Sequence, residues 1–303
     1  MELSVSSDQI IHATIPGENV RLLAGVTTGV VAEICRRHGT WPAASAALGR
    51  TVTGALLMGL MQKDLERVTV QFTCNGPIKG IVATADAHGN ARGYVTNPTA
   101  DAPLVNGKLN VAGVVGSGMM YVTREAGFEI GLSKEPYRGA VEIVSGEIAQ
   151  DFTYYLAKSE QIPSGVSLGV FVAGDLEVTA AGGFIVQLMP DADEALADEL
   201  TVRLGAAPHA TEMVRSGATP LEMLQTALGR TDLEILETRD ARFACLCSPE
   251  RALQIVGGLG RAVVEDMVSK NTGEEIVCHV CNERYFIDID AIRGLAEEEG
   301  GTF

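Results

Sequence analysis

The spacing of apolar positions changes period several times along the chain. After an opening stretch whose loose alternation predicts a strand, "TTGVVAEICRRHGTWPAASAALGRTVTGALLMGLMQKD" carries helical spacing broken near Gly39 and Pro42. It predicts two helices whose apolar faces cover a sheet. From Glu66 the period falls to two: "ERVTVQFTCNG" and "IKGIVATADAHGNARGYVTN" predict strands, the second folded into a hairpin at "AHGN". "KLNVAGVVGSGMMYVTREAG" and "YRGAVEIVSG" read as further strand. "GEIAQDFTYYLAKSEQ" returns to helix, with an apolar stripe through Ile148, Phe152, Tyr155 and Leu156 and with Ser145 as the expected cap. "SGVSLGVFVAG" and "EVTAAGGFIVQLMP" are strand again.

This alternation predicts an α+β chain. Residues 1–188 form a mainly antiparallel sheet domain with packed helices, and the hairpin-like connections argue against a Rossmann unit. Past Pro190 the texture changes to short amphipathic helices separated by Gly and Pro, "DADEALADELTVRLGAAPHATEMVRSGATPLEMLQTALG". This helical linker, residues 189–230, is rich in acids at its start and has little means of forming a core of its own. Residues 231–303 then make a small C-terminal domain that holds most of the cysteines.

Composition narrows the choice of partner. At 303 residues, 46% apolar and 20% charged, the chain has the make-up of a folded globular protein. A net charge of -16 repels phosphate backbones, and no Lys/Arg run proposes a local nucleic-acid patch. "MELSVSSDQI" lacks the basic and apolar segments of a secretion signal, and the longest apolar stretch, around "GALLMGLM", is far short of a membrane span. The expectation is a cytoplasmic protein with neither nucleic-acid nor membrane partners.

Six cysteines are too few for a disulfide scaffold of this length. Cys35 and Cys74 stand apart and read as small buried core residues. The other four form a constellation: Cys245 and Cys247 as C-x-C, thirty intervening residues, then Cys278 and Cys281 as C-x-x-C. Thiolates are soft ligands, and two close pairs can supply a tetrahedral four-sulfur shell for which zinc is the default ion. "EIVCHVCNERYFID" suits a zinc knuckle on a turn between short strands, with His279 as an alternative ligand inside it. Two readings stay open. Zinc is purely structural, giving folding energy to a unit too small to bury much apolar surface. Alternatively its loss is the functional event: an oxidant captures one sulfur, a neighbour closes a disulfide, the ion leaves and the adjoining linker opens.

Other chemistries find less support. "GSGMMYV" lacks the full G-x-G-x-x-G context and reads as a tight strand connection, and there is no G-x-x-x-x-G-K-[ST] loop for ATP. An enzyme would need a catalytic set, yet His12, His38, His88 and His209 are scattered without sequence partners. A zinc-ribbon binding module would want a basic or aromatic face for nucleic acid, which the acidic composition does not supply, or a fixed protein-docking surface whose affinity ignores oxidants.

"CLCSPERALQIVGGLGRAVVEDM" followed by "IVCHVCNERYFIDIDAI" resembles the redox-switch domain of the heat-shock protein 33 family, redox-regulated 33 kDa chaperonins. The likeness extends through "QFTCNGPIKGIVATADAHGNARGYV", "GKLNVAGVVGSGMMYVTREAG", "EPYRGAVEIVSGEIAQDFTYYLAKSEQIPSGVSLGV" and "AAGGFIVQLMPDA" to nearly the whole chain. It implies an ATP-independent holdase rather than an enzyme, which binds unfolding proteins under oxidative stress. By matching position, Cys245, Cys247, Cys278 and Cys281 would hold one Zn2+ per chain in the reduced state. On oxidation they would pair as Cys245–Cys247 and Cys278–Cys281, with zinc release, linker unfolding and an active homodimer. "GGFIVQLMP", Gly182 to Pro190, resembles the end of the family's core domain. The same helix-and-turn likeness includes Glu147, Tyr154, Tyr155, Ser159, Glu160 and Gln161, which read locally as a packed, capped helix. "LGRA", where many members have an acid after "LG", and His279 within the C-x-x-C are departures that bear on oxidation sensitivity.

Overall fold

The computed structural model describes residues 8–63, 66–125 and 136–298. Residues 1–7, part of the predicted opening strand, and Ala126–Gly127, at the end of "GMMYVTREAG", lie outside the described residues. The chain divides into two units between Ala244 and Cys245.

In the first unit β1 (Gln9–Thr14), β2 (Val20–Val26), β8 (Ser164–Val172), β9 (Val178–Leu188) and β10 (Glu234–Asp240) form one antiparallel sheet. Its order is β10-β1-β2-β9-β8. A second sheet contains β3 (Arg67–Cys74), β4 (Gly80–Asp86), β5 (Asn90–Val95), β6 (Gly118–Glu125), β7 (Tyr137–Glu142) and the short β11 (Arg242–Phe243). Its order is β11-β5-β4-β3-β6-β7, antiparallel except where β11 joins β5. The predicted hairpin at "AHGN" is the β4–β5 turn, where Asp86 accepts from the backbone N–H groups of His88 and Asn90.

Two helices precede the second sheet, α1 (Thr28–His38) and α2 (Pro42–Gly59), separated by the left-handed Gly39 and begun again at Pro42. The pattern predicts a helix with one covered face, but α2 is buried at every position except Pro42 and Arg50. It packs against β8 and β9 of one sheet and β4 and β5 of the other. A helix apolar all round belongs inside a core, and small residues let the neighbours close on it. A Cβ on Gly54 would lie 2.5 Å from the Phe152 ring, and one on Gly49 would lie 2.5 Å from Val31.

Local corrections to the predicted pattern have local causes. "VAGVV" is a short helix, α3 (Val111–Val115), not a strand, because Asn110 accepts from the Gly113 N–H and Val111, Val114 and Val115 share one buried side. The predicted helix over "AQDFTYYLAK" is α4 (Ala149–Lys158), but Ser145 is not its N-cap. The buried Asp151 carboxylate accepts from the backbone N–H groups of Val144, Ser145 and Ile148 and from the Ser145 hydroxyl, so one side chain organises the whole entry loop. Gly116 and Gly118, the glycines of "GSGMMYV", form the tight connection into β6, as the sequence predicts: both have positive φ, and a Cβ on Gly118 would meet the Thr73 carbonyl at 2.1 Å.

The first sheet is apolar on both faces. β2 is buried at six of seven positions: Leu23 joins the core around α2, while Leu22 and Ala24 join a second cluster on the opposite face. That second cluster is completed by three linker helices, α5 (Glu194–Ala206), α6 (Ala210–Arg215) and α7 (Pro220–Leu228). They bring Leu196, Leu200, Met213, Met223, Leu224 and Leu228 against Ile11, Phe184 and Val186. The linker therefore shares its apolar core with the sheet. α7 is well delimited, with a Thr219–Glu222 capping box, Pro220 at its start and the left-handed Gly229 at its end.

The second unit contains α8 (Pro249–Gly257), α9 (Arg261–Lys270), α10 (Ile289–Glu298) and a hairpin of β12 (Glu274–Val277) and β13 (Arg284–Ile287). Its buried apolar cluster, among the described residues, is Ala252, Val256, Val264, Ile287 and Ile292. This is a small core for such a unit.

The separate linker cluster makes a stability prediction. Leu224→Ala removes a fully buried side chain of α7 and should cost about 2–5 kcal/mol. Hydrogen exchange should show the loss of protection concentrated in residues 194–228, with β3–β6 unchanged; an equal loss in both would mean the linker layer is not separable.

Candidate metal centre

The two cysteine pairs are presented by different local devices. Cys278 directly follows β12 and Cys281 lies on the turn into β13, so the C-x-x-C sits on the predicted knuckle between short strands. The N–H groups of Cys281 and Asn282 both donate to the Cys278 carbonyl, at 3.2 and 2.7 Å, while Cys278 N–H donates to Glu283 O at 2.9 Å. Asn282 takes a left-handed φ of 58°, a conformation that asparagine tolerates better than most residues.

Cys245 and Cys247 instead lie just ahead of α8. Ser248 caps that helix by accepting from Arg251 N–H, Pro249 occupies its first turn, and Arg251 Nη1 donates to the Leu246 carbonyl at 2.6 Å. The helix start thus pins the backbone between the two cysteines.

All four sulfurs lie within 4.8 Å of one another. Cys245 Sγ is 3.9 Å from Cys278 Sγ, and Cys247 Sγ is 3.4 Å from Cys281 Sγ. A tetrahedral zinc with Zn–S bonds near 2.3 Å has sulfur–sulfur edges of about 3.8 Å, so the cluster matches that shell in donor type, number and size. The four are free thiols, far from the ~2.05 Å of a disulfide. Edges in a tetrahedron are equal, so these two contacts between the pairs do not rank how the sulfurs would pair on oxidation.

Electrostatics point the same way. Burial pushes the Cys281 thiol far above its ordinary value, and the sulfurs of Cys247, Cys245 and Cys278 push it further. Burial also raises the Cys247 thiol, with Cys245 adding to the shift and hydrogen bonds from Tyr285 and Cys281 opposing it. Four crowded sulfurs cannot all ionise without a compensating cation. A divalent ion would supply that charge.

Tyr285 is a contact that the sequence reading does not identify. Its hydroxyl donates to Cys247 Sγ at 3.1 Å. The available signal is a Tyr four residues beyond Cys281, on the return strand of the knuckle. His279, the alternative ligand, is exposed and lies outside the four-sulfur cluster.

The remaining candidates are not brought into this site. Cys35 is buried, and burial raises its thiol; Cys74 is half-buried. In the α4 motif, Glu147 accepts from Arg50 at 2.7 Å, Glu160 accepts from Arg124 at 2.6 Å and from Tyr155 at 2.9 Å, and Gln161 turns the chain with φ 58°. Tyr154 packs against the core and the Ser159 N–H closes the helix on Tyr155 O. These are packing and ion-pair roles, as the local reading expects. Among the described residues, the four sulfurs are the group of His, Cys, Asp or Glu side chains placed to hold a metal, and no helix is long and apolar enough to cross a membrane.

Comparison with known proteins gives one result at every level. The family model described as Hsp33 protein matches residues 8–288. A 33 kDa chaperonin of Shouchella clausii is 45% identical over 96% of this chain and 98% of its own length. That of Bacillus subtilis is 43% identical over 96% and 99%. The crystal structure of the 33 kDa chaperonin of Thermotoga maritima, an Hsp33 homologue, superposes with a TM-score of 0.87 at 32% identity, covering 98% of this chain and all of that one.

Ligation by all four sulfurs makes a direct prediction. Cys278→Ser should lower zinc affinity by more than the 10–100-fold typical of a lost supporting contact, measured by competition with a chromophoric chelator. Unchanged affinity would remove Cys278 from the ligand set.

Proposed function

The chain belongs to the Hsp33 family, and from that premise we propose that it is a redox-regulated, ATP-independent holdase of the cytoplasm, not an enzyme. It binds unfolding proteins during oxidative stress and works as a homodimer when oxidised. The observation that carries this reading is the four-sulfur cluster in a unit whose buried apolar cluster, among the described residues, is small.

Cys245, Cys247, Cys278 and Cys281 hold one Zn2+ in the reduced state. The ion supplies positive charge that keeps the sulfurs as thiolates, and its binding energy is folding energy for the small unit. Under peroxide, one thiolate attacks a peroxide oxygen: an S–O bond forms, the O–O bond breaks, and the departing hydroxide takes a proton. The neighbouring thiolate attacks that sulfur, forming S–S and expelling a second hydroxide. Each disulfide gives two electrons to one peroxide, so two peroxides convert the four sulfurs to Cys245–Cys247 and Cys278–Cys281. Disulfide sulfurs no longer serve as thiolate donors, and the unit loses its cross-link.

The domains take corresponding roles: residues 1–188 as chaperone core and 189–230 as linker, while the redox switch, expected over 231–303, is the four-cysteine unit that begins at Cys245, because β10 and β11 pair into the sheets of the first unit. The linker helices cover one apolar face of the first sheet. Their release bares Leu22, Phe184 and Val186 on the sheet and Leu200, Met223 and Leu224 on the linker, a patch suited to unfolded chains.

Light scattering of an aggregating client, with free zinc measured in parallel, tests the reading. Peroxide at raised temperature should release one zinc per chain and convert a weak suppressor of aggregation into a strong one. Equal suppression before and after release would leave only a structural zinc.

A further inference from the structure

The hydroxyl of Tyr285 makes a contact that joins the two halves of the cluster without metal. It lies on β13, the return strand of the C-x-x-C hairpin, and reaches a sulfur of the C-x-C arm 38 residues earlier in the chain. Its ring is held: Tyr285 faces Ile276 across the hairpin, and both pack against the buried cluster of the second unit. A phenol set by packing on one side and aimed at a sulfur on the other has little freedom to seek another acceptor.

The cluster is also not uniform. Cys247 accepts from the Tyr285 hydroxyl and Cys281 from the Glu283 backbone N–H, and Cys281 is only 1% exposed. The Tyr285 contact is made by a side-chain hydroxyl, so a single oxygen atom can be removed while the ring and backbone remain. A hydrogen bond to a thiolate draws charge from the sulfur lone pair, which lowers its nucleophilicity and stabilises its place beside a cation.

We propose that Tyr285 is a positioning residue of the four-cysteine centre, whose hydroxyl holds Cys247 in place and restrains its attack on electrophiles. This rests on the reading of the four sulfurs as a metal centre. Tyr285 thus sets how readily the C-x-C arm leaves the ligand shell, and the restraint acts at one sulfur rather than on the unit as a whole. Reaction of Cys247 with a haloacetamide forms an S–C bond as halide leaves, and the available sulfur charge governs its rate.

The test uses the full reduced chain loaded with Co2+, compared with Tyr285→Phe. Removal of the hydroxyl should move the sulfur-to-cobalt charge-transfer band to longer wavelength and weaken metal binding about 10-fold or more. Iodoacetamide labelling, mapped by mass spectrometry, should quicken several-fold at Cys247 relative to the other three cysteines. Replacing Tyr285 by 4-aminophenylalanine, which restores a donor, should reverse these changes. An unchanged band with unchanged Cys247 labelling overturns the proposal, and so does equal acceleration at all four sulfurs, which marks general loosening. If Tyr285→Phe fails to take up Co2+, recovery of uptake by the 4-aminophenylalanine chain supports the hydroxyl's role and failure to recover overturns it. A parent chain that takes up no Co2+ overturns the metal-centre reading and this proposal with it.

Discussion

The first sheet has apolar side chains on both faces, and neither face can be left to water. α2, clamped between the sheets, meets that requirement on one side with small residues that allow close approach. The linker helices meet it on the other, where Leu200, Met213, Met223 and Leu224 complete the cluster around Leu22 and Phe184. The covers differ in kind. α2 is enclosed by sheet on both sides, so its removal would dismantle the unit. The linker helices form an outer layer, and their removal would leave both sheets with their central helix.

A different constraint governs the second unit. Five buried apolar side chains provide little hydrophobic driving force, while four thiols packed within 4.8 Å bring desolvation and mutual repulsion if they ionise. A bound divalent cation resolves both problems, contributing cross-linking energy and offsetting the charge. With such an ion in place the unit's stability would depend on sulfur chemistry: what reacted at its ligands would be felt as folding energy.

Period and spacing made much of this legible. The strand alternation, the break between α1 and α2, the "AHGN" hairpin and the knuckle around Cys278 and Cys281 all follow from nearest-neighbour patterns. The differences arise where tertiary partners decide. α2 presents no polar face because both sides are covered, and a one-sided reading cannot see the second sheet. α3 looks like a strand because β-branched Val residues dominate it, yet the Asn110 cap and the core spacing make it a helix turn. Asp151 displaces Ser145 as the organiser of α4 because its position three residues after Ile148 places both carboxylate oxygens under four donors. The cysteine cluster was visible in spacing alone. Tyr285 was hidden, since its partner Cys247 is distant in sequence and nothing in "RYFI" announces the direction of its hydroxyl.

The way the linker is attached fits a removable cover. Over residues 194–228, among the described residues, the Ala210 N–H donates to Ser167 Oγ of β8 at 3.3 Å, and the other backbone bonds leaving the segment go to its chain neighbours Asp193, Gly229 and Arg230. Otherwise the helices hold the sheet through side-chain packing, so their departure breaks no strand ladder. β10, which follows them, does contribute ladder bonds, but among the described residues it is an edge strand paired with β1 and exposed along nearly its whole length. Edge pairing without burial is the weakest form of sheet membership. From α5 to β10 the chain is therefore joined to its sheet by contacts that can be lost in sequence, while the strands beneath keep their own hydrogen bonds. A cover attached in this way can be sacrificed without sacrificing the surface it hides, which is the physical requirement for exposing an ordered apolar face rather than a melted chain.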